Sequence, residues 1–445
     1  MNRYLSNLFW IPKSEISDIE LLKQRLTLVG KTFQGDPPLC FLYEEREDEI
    51  GVPRHFGLTY FGSFEDKTIS KSVAWPELRE GFSFRKGQEE SVHTITEVFR
   101  KGQYGALLEA KTGSGKSVMS LIIAARLKVP VLVFTHKDDL ASQWKSYAEE
   151  FFPGVRIGHV QQDTWDYKDK HLVTISAQTF YSRQDKIPAD FWSHFGFTIW
   201  DEMHRYSART FETALRHAPS KYRLGVSATF RRKDGLEGVW THHIGKIEHV
   251  CTTPHLVGHY IQIPWKTDLS EKWLSHKGRV SYSKYVTAIA QNILYNKWLA
   301  EQCIEAAKAS RKVLVVSERK EQLSDIRSRI FRSSPDCTVG LYVGSWEKAK
   351  YTEEQLQASA KCDIILGTYQ KISEGTNIPD LDTIYLGTPR SDIEQSVGRI
   401  QRPHEGKQGI LVVDPVFQTP LGRRSGAKRK KMYEKLGFKP QGDEE

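Results

Sequence analysis

Cysteine is scarce in this 445-residue chain, and what little there is stands apart. Cys40, Cys251, Cys303, Cys337 and Cys362 form no CxxC pair. That argues against a structural metal or a disulfide framework and for a reducing compartment. Long apolar runs are missing too: none approaches the ~18 residues that span a bilayer, so no membrane partner is expected. The opening "MNRYLSNLFWIPKSE" has only a broken apolar patch and no small-residue cleavage site, so no signal peptide is expected. There is no short repeat, no low-complexity tract and no NKxD guanine-reading motif. What remains is 39% hydrophobic and 27% charged, the makeup of a globular protein of two or three domains. The net charge of +9 is a modest bias toward polyanionic partners.

The pattern along the chain changes near residue 80. "SEISDIELLKQRLTLVG" offers a Ser17/Glu20 capping box, with Ile16, Ile19, Leu22, Leu26 and Val29 at helical spacing. "CFLYEE" and "RHFGLTYF" then read as strands, so residues 1–80 suggest a small N-terminal α/β domain. From Gly81 short apolar strands alternate with helices: "YGALLEA", "VPVLVFT", "HLVTISA", "FTIWD" and "YRLGVSA". A second series follows from about Ala288, with "KVLVVSE", "TVGLYVG", "CDIILGT", "TIYLGTP" and "GILVVDP" as its strands. Such alternation predicts parallel sheets flanked by helices, an α/β fold of two similar lobes. The expected divisions are lobe 1 over 81–250, a connection over 251–286, lobe 2 over 287–420 and a basic tail over 421–445.

"LLEAKTGSGKS" lies between a strand and the apolar helix "VMSLIIAARL", the setting a phosphate loop needs. Gly113 and Gly115 can take positive φ and let backbone N–H groups close around phosphate at a helix N-terminus. Lys116 can reach the β- and γ-phosphates, and the Ser117 hydroxyl can hold Mg²⁺. "FTIWDEMHR" supplies the complement: Asp201 for the metal's coordination sphere and Glu202 to orient or deprotonate the attacking water. His204 follows, placed to sense the nucleotide state. Read alone, Asp-Glu at a strand end mostly means a solvated turn. Paired with the loop, it reads as the other half of an active site.

"AKTGSGKS", "DEMH", "SAT" and "QSVGRIQR" occur in that order, and the chain resembles a superfamily 2 helicase over residues 81–415. Within it the chain looks most like the DExH branch that includes tailed-bacteriophage branch-migration (UvsW-like) helicases, because "LGVSATFRRKDG" is close to that branch's LGLTATPxRxDG. The resemblance implies two tandem RecA-like parallel-sheet domains, ATP and Mg²⁺ as cofactors, and DNA, branched or forked, as partner. It implies an ATP-binding stretch of Ala110, Lys111, Thr112, Gly113, Ser114, Gly115, Lys116 and Ser117, with Gln88 reading the adenine edge. Thr135 and His136, Gln178 and Thr179, and Thr368 would lie near a nucleic-acid backbone. Ser227 and Thr229, with His204, would couple the nucleotide state to lobe 2. "GTYQKISEGTNIP" resembles motif V, with Glu374 and Gly375 matching, and Gln395, Arg399 and Arg402 match motif VI. Three departures stand out. Met203 replaces the usual alanine, which predicts a packing change; Asn377 replaces a frequent Asp; Gln401 replaces a common glycine.

The resemblance leads to an ATP-dependent DNA helicase that remodels branched DNA, a monomer in the cytoplasm (the host's, if viral). An RNA helicase, a duplex translocase without strand separation and a catalytically silent nucleic-acid-binding regulator are the alternatives. "GRRSGAKRKKMYEKLGF" reads as a solvated, partly disordered end, a phosphate-contacting arm or a localisation signal. "HVQQDTWDYKDKH" and "GHYIQIPWKTDLSEKWLSHKGR" mix aromatic and basic residues that either pack a loop or stack on bases at a fork.

Overall fold

The computed structural model describes the chain except residues 1–2, 32–38, 112, 137, 204–207, 231–234, 253–255, 257, 268, 270–274, 277–278, 347–348, 374–377, 402–403, 405, 408 and 443–445. It divides into two compact units, residues 1–253 and 254–445. The first is built on an eight-stranded sheet of β1 (Gly105–Ala110), β2 (Val131–Thr135), β3 (Ile157–Gln161), β4 (Thr164–Asp166), β5 (Leu172–Ser176), β6 (Phe197–Asp201), β7 (Tyr222–Ser227) and β8 (Ile247–Cys251), in the order β4-β3-β5-β2-β6-β7-β1-β8. Only β4 runs antiparallel to its neighbour. The central strands β2, β5 and β6 are buried at every position, as expected of a parallel sheet covered on both faces. Helices α1 (Gln88–Arg100), α2 (Lys116–Leu127), α3 (Asp138–Phe151), α4 (Ala177–Ser182) and α5 (Ala208–His217) belong to this unit. The five strands expected from the alternation are all present. Strands β3, β4 and β8 are additional, their few apolar residues being interrupted by polar ones.

The N-terminal module departs from expectation in detail. Its first helix is Ile19–Arg25, capped by Asp18, whose side chain accepts from the Leu21 N–H, and not by the Ser17/Glu20 box. Val29 lies in the strand Thr27–Val29. "RHFGLTY" is a helix, Arg54–Tyr60, not a strand. Phe56 and Tyr60, one turn apart, are in ring contact at 4.7 Å, a pairing that helical spacing allows. Gly57 lies so close to the Phe9 side chain that a Cβ there would come within 2.3 Å of it. The module is not set off from the lobe behind it. Leu5, Phe9 and Ile11 share one core with Leu107, Leu132 and Trp240. Buried Arg54 donates to the Ser220 carbonyl at 2.7 Å, and buried Arg223 donates to the Asn7 carbonyl at 2.6 Å.

The second unit holds a seven-stranded, wholly parallel sheet: β9 (Gly258–Trp265), β10 (Val313–Ser317), β11 (Val339–Tyr342), β12 (Ile364–Thr368), β13 (Thr383–Leu386), β14 (Ile410–Phe417) and β15 (Lys439–Pro440), ordered β11-β12-β10-β13-β14-β9-β15. Helices α6 (Ile293–Lys308), α7 (Lys320–Ser333), α8 (Glu394–Ile400) and α9 (Pro420–Lys435) accompany it. Two expectations change here. The connection expected over 251–286 contains β9, which pairs with β14 along eight residues and so belongs to the sheet. The basic tail is not a loose end. Residues 420–435 form α9, started by Thr419, whose hydroxyl accepts from the Gly422 N–H. Burial explains its order: Arg429 pairs with Asp414 of β14, both fully buried, at 2.7 Å, and the Tyr433 hydroxyl donates to the same carboxylate at 3.1 Å.

Candidate ATP site and nucleic-acid residues

A parallel sheet brings strand ends from distant parts of the chain to one edge, and helices start there with unpaired N–H groups. In the first unit Ala110, Thr135, Ser176, Asp201 and Ser227 each terminate a strand on this carboxyl edge. The loop after β1 turns into α2 through Gly113 (φ 87°) and Gly115 (φ 85°), the latter the N-cap. A side chain at Gly115 would be strained by that φ and would also meet the Gln88 amide at 2.4 Å. Ser114 is 1% exposed, and among the described residues its hydroxyl has no hydrogen-bond partner. With the free first-turn amides of α2, this orphaned donor makes the loop fit a phosphate. Lys111 is exposed, Ser117 is half-buried and Thr112 lies outside the described residues.

Lys116 Nζ forms an ion pair with Glu202 Oε1 at 3.0 Å. The loop lysine and the carboxylate expected to handle water therefore sit together. Asp201, 6% exposed, accepts from the Trp144 indole N–H at 2.8 Å. Burial pushes the Asp201 carboxyl up to about 6, the neighbouring Glu202 adds to the rise, and Lys116 and the indole oppose it. Glu202 adopts φ 51°, a left-handed conformation uncommon outside glycine and characteristic of functional turns. Met203 is fully buried against Gly225 of β7, close enough that a Cβ on Gly225 would fall 2.0 Å from its sulfur. His204 lies outside the described residues.

Gln88, expected to read the adenine edge, bonds to the phosphate loop and to its own helix's approach. Its Oε1 accepts from the Arg85 N–H at 2.9 Å and its Nε2 donates to the Ser114 carbonyl at 2.7 Å. The amide that would read adenine is clasping the phosphate loop, with one N–H and one lone pair left over. Nothing in the sequence singled out Trp144 either. It reaches Asp201 from α3, where it shares a buried face with Leu140 and Ala148 at i, i+4 spacing.

Among the residues expected near nucleic acid, Thr135 is buried, with its hydroxyl 3.5 Å from the Ile175 carbonyl, and His136 follows it. Gln178 and Thr179 line an open polar groove of about 310 Å³ with Gln161, Gln162, Ser176 and Arg183. Ser176 caps α4 by accepting from the Thr179 N–H. Ser227 donates to the Thr229 carbonyl at 2.6 Å, closing a tight turn after β7. In the second unit Thr368 ends β12 and its hydroxyl accepts from the Lys371 N–H at 3.4 Å. Gln395 and Arg399 are positions of α8. Their side chains, and Glu374, Gly375, Asn377 and Arg402 altogether, lie outside the described residues. Gln401 is buried and donates to the Leu436 carbonyl at 3.2 Å.

Residues 81–232 match the family described as the res subunit of type III restriction enzymes (ResIII). A protein of Acanthamoeba polyphaga mimivirus named as an ATP-dependent RNA helicase is 28% identical over 424 residues, covering 91% of this chain and 80% of its own. Among solved structures, a fragment described as an HsdR subunit of a type I restriction enzyme from Vibrio vulnificus YJ016 aligns over 78% of this chain and 65% of its own, with 17% identity and a TM-score of 0.54. T4 UvsW aligns over 98% of both chains, with 17% identity and a TM-score of 0.39. By its strand-end motifs, the family match over residues 81–232 and the mimivirus relative, the chain is similar to superfamily 2 helicases, which are ATP-dependent enzymes.

Proposed function

We propose that this protein uses ATP to move along DNA and remodel branched or forked structures. The observation that carries the ATP reading is the meeting of Lys116, Glu202 and Asp201 at one sheet edge, beside a glycine loop whose Ser114 hydroxyl is orphaned. Lys116 would bind the β- and γ-phosphates, Glu202 would orient and accept a proton from the attacking water, and Trp144 would hold Asp201 in place. Ser117 and Asp201 would hold Mg²⁺, which when bound supplies charge neutralisation on the phosphates. Arg399 and Arg402 would add positive charge to the transition state, a contribution worth roughly 10³–10⁵ in rate where such arginine fingers act.

The DNA reading is supported by "LGVSATFRRKDG" and its likeness to the branch-migration group. Moving a branch point breaks one base pair while forming another, so the ~1.4 kcal/mol of stacking per step is exchanged and the motor need supply only direction. A second reading, an RNA helicase, is favoured by the name of the mimivirus relative. ATP turnover measured with single-stranded, duplex and forked DNA and with RNA of matched structure separates them. Strongest stimulation by forked DNA, with strand exchange on a four-way junction, is the expected result. Stimulation by RNA alone would establish the second reading, and no stimulation by any nucleic acid would sink both.

A further inference from the structure

Helix α9 has two unlike faces. Inward, Gly422, Ser425, Gly426, Arg429 and Tyr433 are buried, and Asp414 binds Arg429 through both carboxylate oxygens. Outward, Arg424, Lys428, Lys431 and Lys435 recur at spacings of four, three and four, which puts them on one row of the helix, all exposed. Arg423 and Lys430 flank that row. Among the described residues only Lys435 has a carboxylate partner, Glu394 at 3.7 Å. Like charges one turn apart destabilise a helix, and two of its buried residues are glycines, which are poor helix formers. The helix therefore owes its order to the buried anchor, and the anchor holds the cationic row out to solvent.

We propose that this row is a contact surface for the phosphate backbone of the nucleic acid on which the enzyme acts. The inference rests on the motor reading above and adds a site to it. A row of about 16 Å, from the ~1.5 Å rise per residue, runs beside a backbone that offers a phosphate every ~3.4 Å of axis on each strand. No large apolar side chain is exposed on α9. A helix that inserts in a bilayer presents such residues, and protein interfaces are commonly anchored by them. Backbone contact requires neither. The surface also reaches the segment that carries Gln395 and Arg399. Arg429 donates to the Arg390 carbonyl at 3.3 Å, Lys435 pairs with Glu394, and Gln401 of that segment donates to the Leu436 carbonyl just beyond α9. Nucleic acid on α9 would thus bear directly on α8, the helix that carries Gln395 and Arg399.

The test is binding of the full chain to labelled forked DNA, and to RNA of matched structure, from 50 to 200 mM salt. The variant is Arg424→Gln/Lys428→Gln/Lys431→Gln; its control is Lys308→Gln/Lys350→Gln/Lys361→Gln, which removes three exposed charges elsewhere on the same unit. Each lost phosphate contact lowers the slope of log K against log salt by about 0.9, so three predict a fall of roughly 2–3 and an affinity loss of about 10- to 100-fold near physiological salt. The nucleic-acid concentration giving half-maximal ATPase stimulation should rise in parallel, and the control should behave as wild type. An unchanged slope in a variant with wild-type circular dichroism and thermal midpoint would overturn the proposal while leaving the motor reading intact. Charge-dependent binding to vesicles containing phosphatidylserine, without change on nucleic acid, would overturn it in favour of a membrane surface. Failure of the wild type to bind any nucleic acid would overturn both readings together.

Discussion

At the scale of single residues the site is a set of groups held by neighbours that sequence does not bring near them. Lys116→Ala should weaken nucleotide binding, because the cation beside Glu202 is also the one that would meet phosphate. Glu202→Gln should bind ATP but turn it over about 10²–10⁴-fold more slowly, the usual worth of a positioned general base; wild-type turnover would remove that role. Both are read by nucleotide titration and by steady-state phosphate release. Gln88→Ala tests the clasp on the Ser114 carbonyl. If the amide chiefly holds the loop, the variant should weaken ATP and GTP binding equally, whereas an adenine reader would lose ATP preferentially. Buried histidines predict a pH effect. Burial drives His243 down to about 4, against the pull of Glu212. Unfolding restores its ordinary value near 6.5, so the unfolded chain binds more protons between those limits and stability rises with pH there. The urea midpoint should fall as pH drops from 7 to 5, and fall less in His243→Gln.

At the scale of elements, close contacts between strands and their neighbours set what can be exchanged. Gly225→Ala on β7 should destabilise the protein because Met203 fills the space its Cβ would take. Met203→Ala alone should cost about 2–5 kcal/mol, as deletion of a fully buried side chain does. Together they should cost clearly less than the sum, which a double-mutant cycle from denaturant melts would show. The anchor of α9 couples through charge. Arg429→Ala leaves Asp414 buried without its charge partner, a loss of about 3–5 kcal/mol, while Asp414→Leu/Arg429→Met should recover most of it.

At the scale of the whole chain, the N-terminal module shares a core with the sheet behind it and is linked to it by Arg54 and Arg223. It should therefore unfold with residues 81–253 in one cooperative step. A chain lacking residues 1–66 should be poorly soluble, since Leu107, Leu132 and Trp240 would lose their cover. Separate transitions for the two parts in a urea melt would contradict this. Among the described residues no helix is long and apolar enough to cross a bilayer.

Sequence by itself determined five strands of each lobe, because short apolar runs bounded by turns leave a parallel sheet as their burial solution. It also singled out the loop before α2 and the pair Asp201–Glu202, which the fold brings together, because their signal lies in residue types at short spacing. It misread "RHFGLTYF", where a short apolar pattern suits either period, and left β9 in a connection because its partner β14 lies about 150 residues away. Only tertiary structure decided that Gln88 clasps the loop, that Trp144 holds Asp201, and that a run of cations stands as a helix. Each depends on burial against a distant part of the chain, and burial is set by the finished fold.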